Sequence, residues 1–462
     1  MHSGATIIVL LGASLTGCVR GGFSHSGTTD GSPRDVHHDV AETDGPRDDL
    51  QTLSAPLLDP SFNGGNPVVL LRTSGGVQAK RVLIDSQQRI VIAGQSWDGE
   101  KLGIFATRLE PDGSFDPTFT GGTPGFGLDD GAGAEQLEAL AITRDDRILL
   151  GGGFYKAPNH PAIVARLGDD GSLDATFGVG GITSLNRSAL EEHVWGLVVE
   201  PSDEIAFVST EGKLDGGQQE LIFGRLSADG QLANTAPTDD IGVVIARGTL
   251  PRLTMVGGHA MIAARIYDDA AQFNALLLAR LEGGALDATF GDGKTLQHVL
   301  PGGDQNFQNL VGESNGRLTV CNILYDATMP GATESGISRF LSDGMLDTSF
   351  GDQGLVRLIP SASSQPLVLL IDSRGRTLVI GINRSAPNQL RDVFVQRLLS
   401  DGSIDPSFLE DSATQSAYHL DVGGDEAARG AVLDEQGRLL ITGWRGANGE
   451  EGGWIVRLLL PD

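Results

Sequence analysis

Short runs of apolar residues alternate with turn residues along most of the chain. The run Ile-Val-Ile-Ala at residues 90–93 is apolar at every position, and a similar run precedes it at 82–84 across a short polar turn. An apolar run without alternation predicts a strand that is buried on both faces. Two such runs joined by a tight turn predict a β-hairpin. Equivalent runs occupy residues 147–151, 204–208, 260–263, 317–320, 376–381 and 438–443.

A longer phrase recurs between these hairpins. It reads Arg-Leu, two residues, Asp-Gly, a small residue, an apolar residue, Asp, one residue, Ser or Thr, and Phe, and it is clearest at residues 108–119 and 166–177. Two copies, around Asp229 and Gly283, have lost part of it. Its arginines are Arg108, Arg166, Arg225, Arg280, Arg339, Arg397 and Arg457, at separations of 58, 59, 55, 59, 58 and 60 residues. This regular period indicates one structural unit repeated along the chain.

Each unit is predicted to contain four short strands, for example at residues 68–71, 79–84, 90–93 and 104–109. One four-stranded sheet cannot bury two apolar faces alone, whereas a sheet stacked between copies of itself can. Both a solenoid and a closed ring would provide such stacking. The ring is favoured because the chain enters the repeat in mid-phrase at 58–62 and leaves it after Arg457, so that its ends complement each other. We therefore predict an all-β fold, a seven-bladed β-propeller of four-stranded antiparallel blades, over residues 51–462.

The repeat resembles a known family. The phrase Asp-Gly-Ser-Leu-Asp-Ala-Thr-Phe-Gly at residues 170–178, with the Arg-Ile-x-x-x-Gly pattern at 89–94, resembles the delta-60 repeat family of bacterial extracellular β-propellers. The resemblance extends from about residue 57 to the C-terminus and weakens in the two degenerate copies. It implies a propeller fold and an exported protein. It implies no reaction, ligand, cofactor or catalytic residue.

Residues 1–17 are predicted to form a bacterial lipoprotein signal peptide. The apolar segment at residues 7–15 is too short to span a bilayer as a mature helix, and it fits the hydrophobic region of a secretory signal. The sequence Leu-Thr-Gly-Cys at 15–18 resembles the lipobox, which implies that Cys18 becomes the lipid-bearing N-terminus. A plain secretory signal is the alternative.

Residues 18–50 are predicted to be a lipid-anchored, disordered linker, because they are rich in Gly, Ser, Thr, Asp and Pro and show no apolar period. His37 and His38 in this segment are interpreted as part of a solvated tail and not as a metal site. Lipid on Cys18 would make the membrane a partner. Val19 stands where Asp would favour the inner membrane, so we expect a location in the cell envelope, at the outer membrane or cell surface.

The formal net charge is −27, with 33 Lys and Arg against 60 Asp and Glu. Such a balance leaves no broad cationic surface for a phosphate backbone, so nucleic acid is not an expected partner. Cys18 and Cys321 are the only cysteines, which excludes a disulfide framework. Cys321 ends an apolar run and is predicted to be a small buried hydrophobe. We expect a monomer.

Two features invite a functional interpretation. The aspartates of the repeated phrase, such as Asp112 with Asp116, are candidate calcium ligands. Each loop offers only two acids, however, which is few for a calcium site. We therefore expect these aspartates to make turns, cap backbone amides or pair with the repeat arginine. The segment Glu-Glu-His-Val-Trp around His193 is interpreted as a helical turn or loop at a blade edge, not a metal site. No serine-hydrolase, zinc or phosphate-loop motif is present. The sequence therefore predicts no catalytic, cofactor or metal residues, and Cys18 as the lipid attachment site.

The leading functional prediction is a surface-tethered binding or scaffolding propeller that recognises an extracellular protein or glycan. It depends on a rigid repeat ring on a flexible anchor without a catalytic motif. The alternative is an extracellular propeller enzyme, a hydrolase or lyase, that acts on a polymer. A third possibility is an envelope protein with no specific ligand. A deep central pocket lined with acids or histidines would favour the enzyme, and a flat aromatic face would favour binding.

Overall fold

The fold is known from a computed structural model. It describes residues 57–66, 68–71, 76–97, 102–119, 135–154, 161–185, 192–212, 219–233, 243–268, 273–291, 295–298, 305–325, 333–358, 363–384, 390–408, 417–447 and 450–462. The predicted signal peptide, Cys18, the linker at 18–50 and its two histidines lie outside these residues. Among the described residues, no helix has the length and apolar character needed to cross a membrane.

Strands account for nearly all the regular structure, as the apolar pattern predicts, and a single 3₁₀ turn covers Phe62–Gly65. The strands are β1 (Val68–Leu71), β2 (Val77–Ile84), β3 (Ile90–Trp97), β4 (Leu102–Leu109), β5 (Glu135–Ile142), β6 (Ile148–Phe154), β7 (Ala162–Leu167), β8 (Ile182–Leu185), β9 (Glu192–Val199), β10 (Ile205–Glu211), β11 (Gln219–Leu226), β12 (Val243–Val256), β13 (His259–Asp268), β14 (Phe273–Glu282), β15 (Ala285–Leu286), β16 (Thr295–His298), β17 (Gln305–Gly312), β18 (Leu318–Tyr325), β19 (Thr333–Phe340), β20 (Leu355–Leu358), β21 (Ser363–Ile371), β22 (Thr377–Arg384), β23 (Asp392–Leu398), β24 (Ala417–Leu420), β25 (Asp425–Leu433), β26 (Leu439–Ala447) and β27 (Glu450–Leu458).

The strands form antiparallel sheets of the predicted four-stranded kind. The orders β5-β6-β7-β8, β17-β18-β19-β20 and β21-β22-β23-β24 are each one sheet, and β2-β3-β4 forms a three-stranded sheet within the described residues. The long strand β12 pairs with β11 through its first half and with β13 through its second half, so it joins two sheets. Strand β14 then pairs with both β15 and β16.

The first strands of successive sheets form a closed circle. In the order β2, β5, β9, β12, β17, β21 and β25, each strand contacts the next, and β25 contacts β2. The hydrophobic core lies between neighbouring sheets: Leu149 and Val164 of one sheet share a buried cluster with Phe207 and Ile222 of the next. The prediction of a propeller of four-stranded sheets, each sandwiched by its neighbours, is confirmed at this level.

Strand β1 corrects one detail of the predicted repeat. The sequence pattern assigns residues 68–71 to the first unit, but β1 pairs with β27 and completes the last sheet, with Val68 opposite Val456. The two ends of the repeat region meet as expected, because Leu58 bridges Leu458 and Arg457 Nε donates to Asp59 Oδ2 at 2.8 Å. The early residues therefore supply the strand and the half-phrase that the last unit lacks.

The arginine, the second aspartate and the phenylalanine of the repeated phrase contact one another, and we call this group the repeat latch. Arg108 Nε donates to Asp116 Oδ2 at 2.6 Å, and its guanidinium lies 4.9 Å from the Phe119 ring centroid. Asp116 also accepts the amide of Thr118 at 2.8 Å. The predicted pairing of the second aspartate with the repeat arginine is thus confirmed. The same arginine, aspartate and phenylalanine recur at 166, 174 and 177, at 280, 287 and 290, at 339, 347 and 350, at 397, 405 and 408, and at 457, 59 and 62.

The degenerate copy around Asp229 keeps its arginine paired by another route. Arg225 has no aspartate at the usual place in the phrase, and its Nη2 donates instead to Glu200 Oε1 at 2.8 Å. Glu200 comes from the turn between β9 and β10 of the same sheet. A carboxylate from a neighbouring turn therefore replaces the lost one, and the arginine is not left buried without a counter-charge.

Candidate functional site

Each first strand of the circle carries a β-bulge near its middle. At each bulge, the register between the first and second strands of the sheet shifts, so that extra residues on the first strand oppose no partner. Bulges re-aim side chains and are frequent beside active sites. The extra residues are Lys80, Glu138, Trp195, Leu250 with Pro251, Gln308, Leu367 and Arg429.

Glycine on the second strand makes room for these bulges. Gly94 lies opposite the bulge of β2, and a Cβ at this position would lie 2.0 Å from the carbonyl oxygen of Gln78. The corresponding distances are 1.9 Å at Gly152, 2.3 Å at Gly381 and 2.1 Å at Gly443. No side chain fits at such distances, so the recurring Gly of the Arg-Ile-x-x-x-Gly pattern is required by the close approach of two backbones.

Lys80, Arg81 and Glu138 form the centre of the candidate site. Lys80 Nζ donates to Glu138 Oε1 at 2.9 Å and to the Leu137 carbonyl at 3.1 Å. Arg81 Nε donates to the Glu138 carbonyl at 3.1 Å, and its Nη2 lies 3.7 Å from Glu138 Oε2. The Glu138 side chain is 13% exposed. These contacts join the first strands of two neighbouring sheets at the bulge level.

Arg252 and Arg429 extend this group from other sheets. Arg252 follows the bulge of β12, and its guanidinium lies 5.7 Å from the ring centroid of Trp195, the bulge residue of β9. The indole is held by a hydrogen bond from its Nε1 to Thr210 Oγ1 at 2.9 Å. Arg429 is exposed, yet protein surrounds it closely enough for desolvation to lower its pKa.

We call Lys80, Arg81, Glu138, Arg252 and Arg429 the axial cluster. Burial raises the pKa of Glu138, but the charges of Lys80, Arg81 and Arg252 and the hydrogen bond from Lys80 lower it overall to about 2. Burial, with the charge of Arg81, lowers the pKa of Arg252 to about 10. Burial also lowers the pKa of Lys80 and Arg81. Two cations thus contact the Glu138 carboxylate and the charges of two more act on it, in a chain whose formal net charge is −27.

A second polar cluster lies between β24 and β25. Burial and the neighbouring Asp421 carboxylate raise the pKa of Glu426 to about 9, and burial lowers the pKa of His419 despite the charge of Asp392. Glu426 accepts the amide of Val422 at 2.5 Å. Its side chain is completely buried. Glu426 therefore has no surface with which to touch a ligand, whereas His419 and Asp421 of the same cluster are exposed.

The features singled out in the sequence lie elsewhere. His193 belongs to strand β9, where it pairs with Thr210 of β10, so the prediction of a helical turn or loop there is wrong. Cys321 is completely buried, as predicted, and burial raises its pKa to about 12. No group of three or more His, Cys, Asp or Glu in the described part of the chain is placed to hold a metal ion.

The axial cluster itself was missed by sequence analysis. Its members belong to no motif, and four of the five are cations, of which Lys80 and Arg81 are adjacent, in a strongly acidic chain. Two signals were available. The glycine in each second strand marks a close backbone approach, and Lys80, Glu138 and Trp195 recur at the repeat period of 58 and 57 residues.

Comparison with known proteins supports the fold. Residues 89–119, 143–177 and 375–408 match a family model described as a β-propeller domain of unknown function. The chain contains β-propeller repeats. No curated protein is significantly similar to it in sequence.

Several solved structures are similar to this chain at low identity and with TM-scores below 0.5. The polysaccharide lyase Uly1 is 9% identical over 83% of this chain and 90% of its own, with a TM-score of 0.45. An ulvan lyase of a new polysaccharide lyase family is 10% identical over 85% and 96%, with a TM-score of 0.47. An α-L-arabinanase of Penicillium chrysogenum, solved with arabinobiose, is 13% identical over 69% and 92%, with a TM-score of 0.42.

These findings correct the leading functional prediction. A binding or scaffolding propeller was expected, and that expectation is wrong by this comparison, because the similar structures are two lyases and an arabinanase. The alternative, a propeller enzyme acting on a polymer, is retained. Identities of 9–13% with TM-scores of 0.42–0.47 carry no argument about this chain's activity, so the functional argument below starts from the residues of this chain.

Proposed function

We propose that this protein is an exported, seven-bladed propeller enzyme that acts on a negatively charged glycan polymer at the axial cluster. The supporting observation is the excess of positive charge at the axis: four cations and one carboxylate converge there, in a chain with 60 acidic and 33 basic residues. Cations in excess of carboxylates at a partly desolvated position are strongly stabilised by an anion. Guanidinium groups in particular suit carboxylate and sulfate oxygens.

The cluster favours a lyase over a hydrolase. Glycoside hydrolysis generally needs two carboxyl groups on either side of the scissile bond, one of which carries a proton. Within the described axial cluster Glu138 is the only acid, and its ion pairs keep it ionised at neutral pH. Elimination from a uronate instead needs the sugar carboxylate to be neutralised, so that a base can take the proton of the adjacent C–H bond while the glycosidic C–O bond breaks and its oxygen takes up a proton. Glu138, once released from its ion pairs, can accept the first proton, and the neighbouring Lys80 ammonium can donate the second. Arg81, Arg252 and Arg429 supply the neutralising charge.

The remaining features of the proposal concern architecture and location. The circle of first strands supports seven blades, with β12 shared by two of them and β1 completing the last. The repeat phrase supports membership of the delta-60 repeat family. Lipid on Cys18, with the 18–50 linker, would tether a monomeric propeller to the cell envelope, at the outer membrane or cell surface. Loss of acylation of the N-terminal peptide in a Cys18→Ser variant, measured by mass spectrometry, tests the anchor.

The activity test uses the full chain purified in detergent. Uronate-containing, sulfated and neutral polysaccharides are incubated separately, and unsaturated products are followed by ultraviolet absorbance while new reducing ends are titrated. We expect cleavage of a uronate polymer with both signals, and about tenfold or greater loss in Arg252→Gln. Arg247→Gln is the matched control, since Arg247 lies on the same strand with a side chain 71% exposed. Equal activity in the two variants, or cleavage of neutral polymers only, would overturn the proposal.

A further inference from the structure

We infer that Glu138 is a built-in counter-ion, which the anionic group of the sugar replaces when it binds. The inference rests on the proposed function and assigns a specificity-determining role to the single acid of the axial cluster. Glu138 holds the place that a sugar carboxylate or sulfate would take, between Lys80 and Arg81. The ligand class is therefore an acidic monosaccharide unit, and neutral sugars are excluded.

The contacts around Glu138 permit such an exchange. Of the four contacts that Lys80 and Arg81 make here, two go to backbone carbonyls, those of Leu137 and Glu138, and two go to the Glu138 carboxylate. The backbone contacts hold the two strands together whatever the side chain does. The carboxylate can thus rotate away while Lys80 and Arg81 remain in position. Its 13% exposure shows that the side chain reaches solvent and is not locked in the core.

Charge balance makes the exchange selective. A neutral sugar that displaced the carboxylate would leave Lys80 and Arg81 without a counter-charge in a partly desolvated site, which is strongly unfavourable. An anionic sugar replaces one negative charge with another and also faces Arg252 and Arg429. A neutral ligand is therefore disfavoured by the loss of the Glu138 charge, whereas an anionic ligand replaces that charge. The specificity arises because the complex with a neutral ligand is unfavourable.

Trp195 defines the neighbouring surface. It is the next bulge residue along the circle after Glu138, and the hydrogen bond to Thr210 fixes its ring. Arg252 lies against one face of the indole. A flat apolar ring beside Arg252 suits the apolar face of a sugar whose acidic substituent points to the cations.

Calorimetric titration of the full chain with sodium glucuronate, sodium sulfate and glucose tests the inference. Removing the competing charge in Glu138→Gln should tighten glucuronate and sulfate binding by about fivefold or more, and it should also remove the penalty against glucose. Glu334→Gln is the matched control, since Glu334 pairs with Arg357 at 2.7 Å outside the axial cluster; its anion affinity should equal that of the wild type. Unchanged or weaker anion binding in Glu138→Gln would overturn the inference.

Two further measurements keep the result interpretable. If Glu138→Gln does not fold, Glu138→Asp draws the carboxylate back by one methylene, and it should show the same direction of change with a smaller size; no change there overturns the inference equally. The proposed enzymatic function fails independently if no polymer is cleaved. Tighter anion binding without cleavage would support the exchange and overturn the enzyme, and cleavage without tighter binding would do the reverse.

Discussion

The ring closure at Asp59 and Arg457 provides the strongest stability prediction. Arg457 is 3% exposed and Asp59 is 5% exposed, and they lie 398 residues apart in sequence. Asp59→Asn keeps the size of the side chain and removes its charge. The guanidinium of Arg457 then remains buried against the Phe62 ring, at 4.5 Å, with the Pro111 carbonyl as an acceptor and no counter-charge.

The expected loss is large for one substitution. Breaking a buried ion pair by removing one partner costs about 3–5 kcal/mol. The hydrogen bond to Pro111 and the contact with the Phe62 ring persist, which places the expected loss near the lower end, at about 3 kcal/mol. For a chain of this size each kcal/mol corresponds to about 2 °C or less, so the melting temperature should fall by about 5 °C.

The assay combines calorimetry with hydrogen exchange. Asp112→Asn is the control, because Asp112 makes only exposed turn contacts with Ser114 and should lose less than about 1 kcal/mol. Because β1 and β27 join the two chain ends, Asp59→Asn should also speed amide exchange in Val68–Leu71 before other strands. An equal melting temperature in the two variants, or exchange that rises uniformly in all sheets, would refute the reasoning.

Two other predictions concern the bulges and pH. Gly94→Ala places a Cβ 2.0 Å from the Gln78 carbonyl oxygen and should lower the free energy of unfolding, measured by urea titration, by about 3 kcal/mol. In the control Gly452→Ala no atom lies within 4 Å of the new Cβ, so the free energy of unfolding should change little. Similar losses in the two variants would show that the close approach of the backbones is unimportant. The pKa of Glu138 and that of Asp287, which hydrogen bonds from Thr289 and the ion pair with Arg280 lower, are both about 2. A lowered folded-state pKa stabilises the protein above the unfolded value of about 4, so stability should hold between pH 7 and 5 and fall from about pH 4 to 2; a urea midpoint that stays constant to pH 2 would contradict this.

The repeat latch illustrates what local sequence can predict. The pairing of Arg108 with Asp116 depends on eight residues of continuous chain, an Asp-Gly turn and a strand end, all visible as a pattern. Where the pattern is broken, prediction stops: nothing in the phrase around Arg225 indicates that Glu200, 25 residues earlier, replaces the missing aspartate. That pairing depends on where a neighbouring turn lies in the folded sheet.

The axial cluster illustrates what local sequence cannot predict. Lys80, Glu138, Arg252 and Arg429 lie in four different sheets, and none is notable in its own segment. They form a site because they lie at or next to the bulges of first strands that form a closed circle. The closure of that circle depends on all the sheets together.

The amino-acid sequence by itself determined the strands, their period and the complementary ends, because apolar runs, turns and a repeated ion pair are local and recur many times. The tertiary structure alone decided that β1 belongs to the last sheet and that the cations of the axial cluster lie close together. The physical reason is distance in sequence: strand periodicity and turn geometry are set by residues close together in the chain, whereas the charge of the axial cluster is the sum of residues brought together only when the ring closes.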